Sequence, residues 1–158
     1  MGVLSREEVV RILRSKLNSA SLPDFIKAVL LFGSIARDEA HERSDIDLLV
    51  LHENMDIKDP VYCRRYLYKL VMNVLDDVFD SVTLIDMEFK EFIKPNIIRP
   101  LLLNIYWDAI VIIDKKNTLI EFLKHIRKRI KEAGLVRVKD GRTYYWILPN
   151  PMQEVRLL

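Results

Sequence analysis

The chain of 158 residues is half hydrophobic and 30% charged, the balance of a globular domain with its own core rather than of a disordered or fibrous protein. A net charge of +2 excludes a uniformly basic nucleic-acid-coating protein, and the single cysteine, Cys63, excludes an internal disulfide framework or a Cys-rich zinc site. The longest apolar tract, residues 97–113, is broken by Arg99, Pro100 and Asp108, so no membrane-spanning segment is expected.

Met1 to Arg6 lacks the apolar core of a secretion signal, and Arg6 stands where a myristoylation signal needs Ser or Thr, which predicts a cytoplasmic protein. Cys63 reads as a packing residue in a reducing compartment. A single glutamine, Gln153, beside abundant Ile, Lys, Glu and Arg points to a thermophilic source.

In chain order, Ser5-Arg6-Glu7-Glu8 has the form of a capping box, and Val9, Ile12, Leu13 and Leu17 continue at helical spacing to about Asn18. Ala28 to Phe32 is a continuous apolar run ending at Gly33, the pattern of a buried strand that turns sharply. A short helical turn over Ile35 to Glu39 follows, then a polar loop and a second buried strand, Asp45 to Leu51, with its acids confined to the start. Pro60 opens a helix whose apolar pattern runs from Val61 to Val78, and Phe79 to Ile85 reads as a third strand.

Asp86 is placed to cap a helix through Phe89, Phe92 and Ile93, while Pro95 and Pro100 divide the following region into helical pieces. Ala109 to Ile113 is a fourth strand by its β-branched content, and Thr118 to Ala133 is an amphipathic helix closed by Gly134. Asp140-Gly141 then joins two strands as a hairpin. The tail from Pro149 to Leu158 is either loose or docked. The alternation of helices and strands gives a mixed α/β class with a central sheet covered by helices.

Two motifs carry chemistry. Gly33-Ser34 follows a strand and opens a helical turn, where backbone N–H groups and a hydroxyl can hold a phosphate. Asp45 and Asp47, at alternate strand positions, point to one side, and two converging carboxylates suit a hard cation such as Mg2+ or Mn2+. Val50 stands where a calcium-binding EF-hand loop starting at Asp45 needs glycine. His41-Glu42 and His52-Glu53 do not continue into a zinc-protease helix, and no P-loop is present. His41, His52 and His125 are scattered and read as surface residues.

The stretch from Leu31-Phe32-Gly33-Ser34 through Ser44-Asp45-Ile46-Asp47-Leu48-Leu49-Val50 resembles the signature of the DNA polymerase β-like nucleotidyltransferase superfamily, particularly its minimal, MNT-type members. The resemblance implies a minimal nucleotidyltransferase domain over residues 1–114, a central mixed sheet flanked by helices. Residues 115–158 then form a basic helix, hairpin and tail packed on or extending it. It implies that Gly33 and Ser34 hold nucleotide phosphates, that Asp45 and Asp47 bind the divalent metal, and that a third acid completes the catalytic set. Among Asp76, Asp77, Asp80 and Asp86, Asp80 is chosen for its place at the entry of the strand Phe79 to Ile85, in phase with Val82 and Leu84.

Ser44 and Arg37 join Gly33 and Ser34 as candidate nucleotide contacts, although Arg37 equally suits a surface pair with Asp38 or Glu42. Asp38 departs from the family's frequent Ala-Arg-Gly, which bears on the loop geometry beside the nucleotide. The implied activity is metal-dependent transfer of a nucleoside monophosphate, AMP from ATP in preference to another NTP, to an acceptor hydroxyl. Small members of the family act as antitoxins on HEPN-type partners. No Arg-x4–6-His motif of such a partner occurs here, so it would be encoded separately.

Two other readings stay open beside it, with homo-oligomerisation compatible with each. One is a non-catalytic interaction module on the same fold. The other is nucleic-acid handling through residues 115–142, which hold ten Lys or Arg against three acids, with Tyr144, Tyr145 and Trp146 as stacking surfaces.

Overall fold

The computed structural model describes residues 4–150 and 154–158. The extreme N-terminus and part of the predicted tail, residues 1–3 and 151–153, lie outside them. The elements are α1 (Arg6–Ser19), β1 (Ile26–Phe32), α2 (Gly33–Ala36), β2 (Ile46–His52), α3 (Pro60–Leu75) and β3 (Val82–Glu88), followed by α4 (Phe89–Ile93), α5 (Pro100–Asp108), β4 (Ile110–Asp114), α6 (Leu119–Glu132), β5 (Val136–Asp140) and β6 (Thr143–Ile147).

Helix starts follow local chemistry. The Ser5 side chain accepts the Glu8 N–H at 3.1 Å, and its hydroxyl donates to Glu8 Oε1 at 3.0 Å. Asp59 accepts the N–H groups of Val61 and Tyr62 while Pro60 occupies the first turn of α3, where no N–H is needed.

The main sheet has the order β3-β2-β1-β4. β1 is antiparallel to both β2 and β4, and β2 is parallel to β3 with α3 as the crossover, so the sheet is mixed. Helices cover both faces. Val29, Leu31, Leu48, Val50, Val82 and Leu84 face a core closed by α1 and α3. Ala28, Leu30, Leu49 and Leu51 face a second core closed by α4, α5 and α6. This double covering is why β1 and β2 read as unbroken apolar runs rather than as alternation.

Several boundaries differ from the sequence reading. The helical turn after β1 begins at Gly33 itself, with Arg37 N–H donating to Gly33 O at 3.1 Å. α3 ends at Leu75, and β3 begins at Val82 rather than Phe79. Phe79 instead plugs the first core from a turn whose N–H donates to Leu75 O at 2.9 Å; burial alone made it look like strand. Asp86 lies inside β3 and caps nothing, since no side chain caps α4.

The C-terminal elements pack on the same body. Leu119, Leu123, Ile126 and Ile130 of α6 enter the second core, and Leu157 of the tail is buried there, its carbonyl accepting from Arg129 Nε at 3.3 Å. β5 and β6 form a separate antiparallel pair around Gly141, which holds the positive φ such a turn demands. No helix among the described residues is long and apolar enough to cross a membrane.

Candidate active site

The antiparallel register of β1 and β2 sets Phe32 opposite Asp47. The chain leaves β1 at Gly33, so the turn that opens α2 lies beside the first residues of β2. Gly33 has φ of +78°, and a Cβ there would overlap Asp47 Oδ2 and stand 2.9 Å from Asp47 Cγ. Glycine is required twice at this point, for the left-handed backbone and for the approach of the carboxylate. The two motifs are thereby in direct contact.

Ser34 Oγ donates to Ser44 Oγ at 3.4 Å, and Ser44 Oγ accepts the His41 N–H at 2.9 Å, tying the polar loop to the turn. No side chain caps the N-terminus of α2. Asp38, which departs from the family's glycine, has φ of +60°. Aspartate is among the few residues that tolerate that region, so this position keeps the conformation a glycine would supply.

Asp45 is exposed, and Ser81, just ahead of β3, donates a hydrogen bond to its Oδ1. Asp47 is half-buried. Burial first, and then the neighbouring Asp45 carboxylate, push its pKa up to about 6, with Arg37 pulling the other way. Two carboxylates that cannot ionise together without cost, beside a glycine cradle, form an all-oxygen set suited to a hard divalent cation. The residues present therefore fit the metal that the family implies.

Asp80 is exposed and lies in the connector before β3. The phase argument for it does not hold. Val82 and Leu84 face the first core, whereas Asp47 has the phase of Leu49 and Leu51, which face the second. The connector, not strand alternation, brings Asp80 to a cavity of about 630 Å3 that Ser44 and Asp45 also line. Of the other acids considered, Asp77 is paired with Lys16 at 2.6 Å, Asp76 is the C-cap that follows α3, and Asp86 lies three residues beyond Thr83, the register partner of Asp47, toward the far end of the sheet.

Arg37 pairs with neither Asp38 nor Glu42. Its guanidinium lies 3.3 Å from Asp108 Oδ2 and 3.4 Å from Glu39 Oε2, and 4.7 Å from the centre of the Tyr144 ring. Arg137 stands 4.3 Å from the same ring and 2.7 Å from the same Asp108 oxygen. Tyr144 donates its hydroxyl to Glu39, which holds that carboxyl below the usual range. The hairpin is thus strapped to the segment just after the Gly33 turn. The linkage of Asp108, Arg137, Tyr144 and Glu39 escaped the sequence reading, which took Tyr144 only as a stacking surface. The available signal was Asp108 itself, an acid within an apolar tract, which burial forces to find cationic partners.

Some cations of the basic C-terminal stretch are tied to the backbone of the fold, while most of them, Lys124 and Lys128 included, are exposed. Arg127 donates to the carbonyls of Tyr106 and Ala109, both at 2.8 Å, and Lys115 donates to those of Leu22 and Pro23 at 3.2 and 2.9 Å. Lys116 pairs with Glu53. Trp146 faces inward, donating to Asn104 at 2.9 Å, so of the three hairpin aromatics only Tyr145 is substantially exposed. His41 and His125 are exposed, as expected, but His52 is buried and bonded to Asp86 at 2.9 Å; the end of a central strand, not the surface, is its place.

Residues 17–118 match the family described as polymerase beta, nucleotidyltransferase. A protein of Methanocaldococcus jannaschii named as a candidate protein adenylyltransferase is 32% identical over 122 residues, covering 75% of this chain and 82% of that protein. The chain belongs to the polymerase beta nucleotidyltransferase family and is a nucleotidyltransferase. Among solved structures, it is similar to a candidate nucleotidyltransferase from Sulfolobus solfataricus, at 18% identity and a TM-score of 0.44, over 67% of this chain and 80% of that one. It is also similar to a chain from the complex of tri-AMPylated Shewanella oneidensis HEPN toxin with MNT antitoxin, at 16% identity and a TM-score of 0.44, over 78% and 93% of the two chains.

Proposed function

We propose that this nucleotidyltransferase moves AMP from ATP to an acceptor hydroxyl on a separately encoded protein, a HEPN-type partner in the manner of MNT antitoxins. The observation that carries the reading is the contact of Gly33 with Asp47, which makes one site of a phosphate turn and a carboxylate pair. The name of the 32%-identical relative supports protein as the acceptor class, and the motif resemblance supports the partner type.

In this reading Asp45, Asp47 and Asp80 hold Mg2+ or Mn2+, which supplies charge neutralisation at the phosphates when bound. Gly33 and Ser34 offer their N–H groups and hydroxyl to the triphosphate, and Ser44 steadies Ser34. Arg37, already aimed by Asp108 and Glu39, adds positive charge beside Asp47. The cavity beside Asp45 leaves space for an acceptor side chain, and in this reading Asp80, which also lines it, accepts the hydroxyl proton.

The test is incubation of the protein with Mg2+ and labelled NTPs in lysate, followed by mass spectrometry of whatever is labelled. Labelling of a discrete protein by ATP, abolished in Asp47→Ala, is the expected result. Equal labelling by wild type and Asp47→Ala rejects the mechanism, and labelled nucleic acid in place of protein rejects the acceptor class.

A further inference from the structure

A second group of ligand-type side chains stands at the other end of β2. His52 closes that strand, Cys63 lies in the first turn of α3 and Asp86 lies in β3, and one donor atom from each falls within 4.8 Å of the others. His52 Nε2 is 2.9 Å from Asp86 Oδ2, and Cys63 Sγ is 3.7 Å from the same oxygen. Met55 Sδ is 3.7 Å from Cys63 Sγ. Metal–ligand bonds of about 2.0 Å to nitrogen or oxygen and about 2.3 Å to sulfur separate neighbouring donors around tetrahedral zinc by roughly 3.3 to 3.6 Å. The two separations that end on Asp86 differ from those spacings by about half an ångström or less.

We propose that His52, Cys63 and Asp86 form a Zn2+ site that ties β2, β3 and α3 together. The donor set is one imidazole, one thiolate and one carboxylate, which suits a borderline-soft ion and not the hard cation fitted to Asp45 and Asp47. Binding exchanges the Cys63 thiol proton for the ion, and the proton leaves to solvent. Arg64 Nε holds Asp86 Oδ1 at 3.0 Å, so Oδ2 stays turned toward the other two donors, as an outer-shell partner of a metal ligand does. A cavity of about 320 Å3 reaches His52 and Met55 from outside, and the fourth position falls to water or the Met55 thioether.

This site does not depend on the nucleotide reading. Asp47 and His52 are separated along β2 by about 16 Å at the usual rise per residue, so the two centres are distinct.

The experiment is Co2+ titration of chelator-stripped protein, read by absorption, with Zn2+ added as competitor. Expected are a thiolate-to-cobalt charge-transfer band saturating at one ion per chain, its loss on adding Zn2+, and a rise in Tm with Zn2+. The band should be absent from folded Cys63→Ser and retained in the Asp45→Asn/Asp47→Asn double variant. No band in wild type overturns the proposal, and the wild-type spectrum decides even where a variant does not fold. Zn2+ binding that persists in Cys63→Ser and disappears in the double variant overturns it equally, because the ion then sits at the carboxylate pair.

Discussion

Gly33 and Asp47 occupy each other's space: the missing Cβ of the glycine is where the carboxylate of the aspartate lies. Gly33→Ala should therefore cost about 1 to 2 kcal/mol for the left-handed backbone, plus the displacement of Asp47. Nucleotide transfer should fall at least about a hundredfold, since a misplacement of roughly 1 Å at a reacting centre is enough for that. Denaturant melts of Gly33→Ala, Asp47→Ala and the double variant should be non-additive, because the second change removes the group the first collides with. Strict additivity would show that the two do not compete for one volume.

Stability without metal should depend on the protonation of Asp47. The folded protein keeps a proton there to about pH 6, whereas an unperturbed aspartate releases it near 3.8. Between those values the native state binds more protons than the unfolded chain, so stability falls as pH rises through this window and stays lower above it. Allowing for the solvent that still reaches the carboxylate, the fall should be about 1 to 2 kcal/mol. Thermal melts from pH 4 to 8 should lose this slope in Asp47→Asn. Mg2+ affinity in wild type should strengthen across the same window, as the competing proton leaves.

Asp80 offers a separate test of the third acid. It is exposed and outside any strand, so Asp80→Asn should leave the melting curve within about 0.5 kcal/mol of wild type. If its carboxylate belongs to the metal set, the transfer rate should drop by about two to three orders of magnitude, chiefly in kcat. Unchanged kcat would remove Asp80 from the catalytic set and leave Asp45 and Asp47 as the acids.

Asp108 is the buried link between the hairpin and the turn, with its side chain only 6% exposed between Arg37 and Arg137. Asp108→Ala leaves two poorly solvated guanidinium groups facing one ring, and should cost about 3 kcal/mol. Limited proteolysis should then cut the hairpin at residues 136–147 faster than wild type. A variant as resistant as wild type would mean that Tyr144 and Glu39 hold the hairpin unaided.

The basic helix α6 should divide into silent and structural cations. Lys124 and Lys128 make only exposed ion pairs with Glu121 and Glu132, and their replacement by Ala should change stability by less than about 0.5 kcal/mol. Arg127→Ala should cost about 2 to 3 kcal/mol, because the carbonyls of Tyr106 and Ala109 lose their donor. Urea denaturation of the three variants separates the two classes.

Much of this was legible in the residues. The capping box, the apolar runs of β1 and β2, Pro60 at the start of α3 and the Asp140-Gly141 turn are local signals, set by hydrogen bonds and dihedrals within a few residues. Gly33-Ser34 and Asp45-x-Asp47 were equally readable, because glycine is forced by backbone geometry and strand alternation fixes which residues share a side. What the chain could not announce was which distant groups would meet. Phe79 looked like strand because burial in a turn and burial in a strand select the same side chain. The pairing of β2 with β3 removed the phase argument for Asp80, and only the folded sheet carried His52 inward to Asp86 and Cys63. The hairpin's attachment through Asp108, Arg37 and Tyr144 likewise joins residues remote in sequence, by charge pairing that acts only after the two cores have closed.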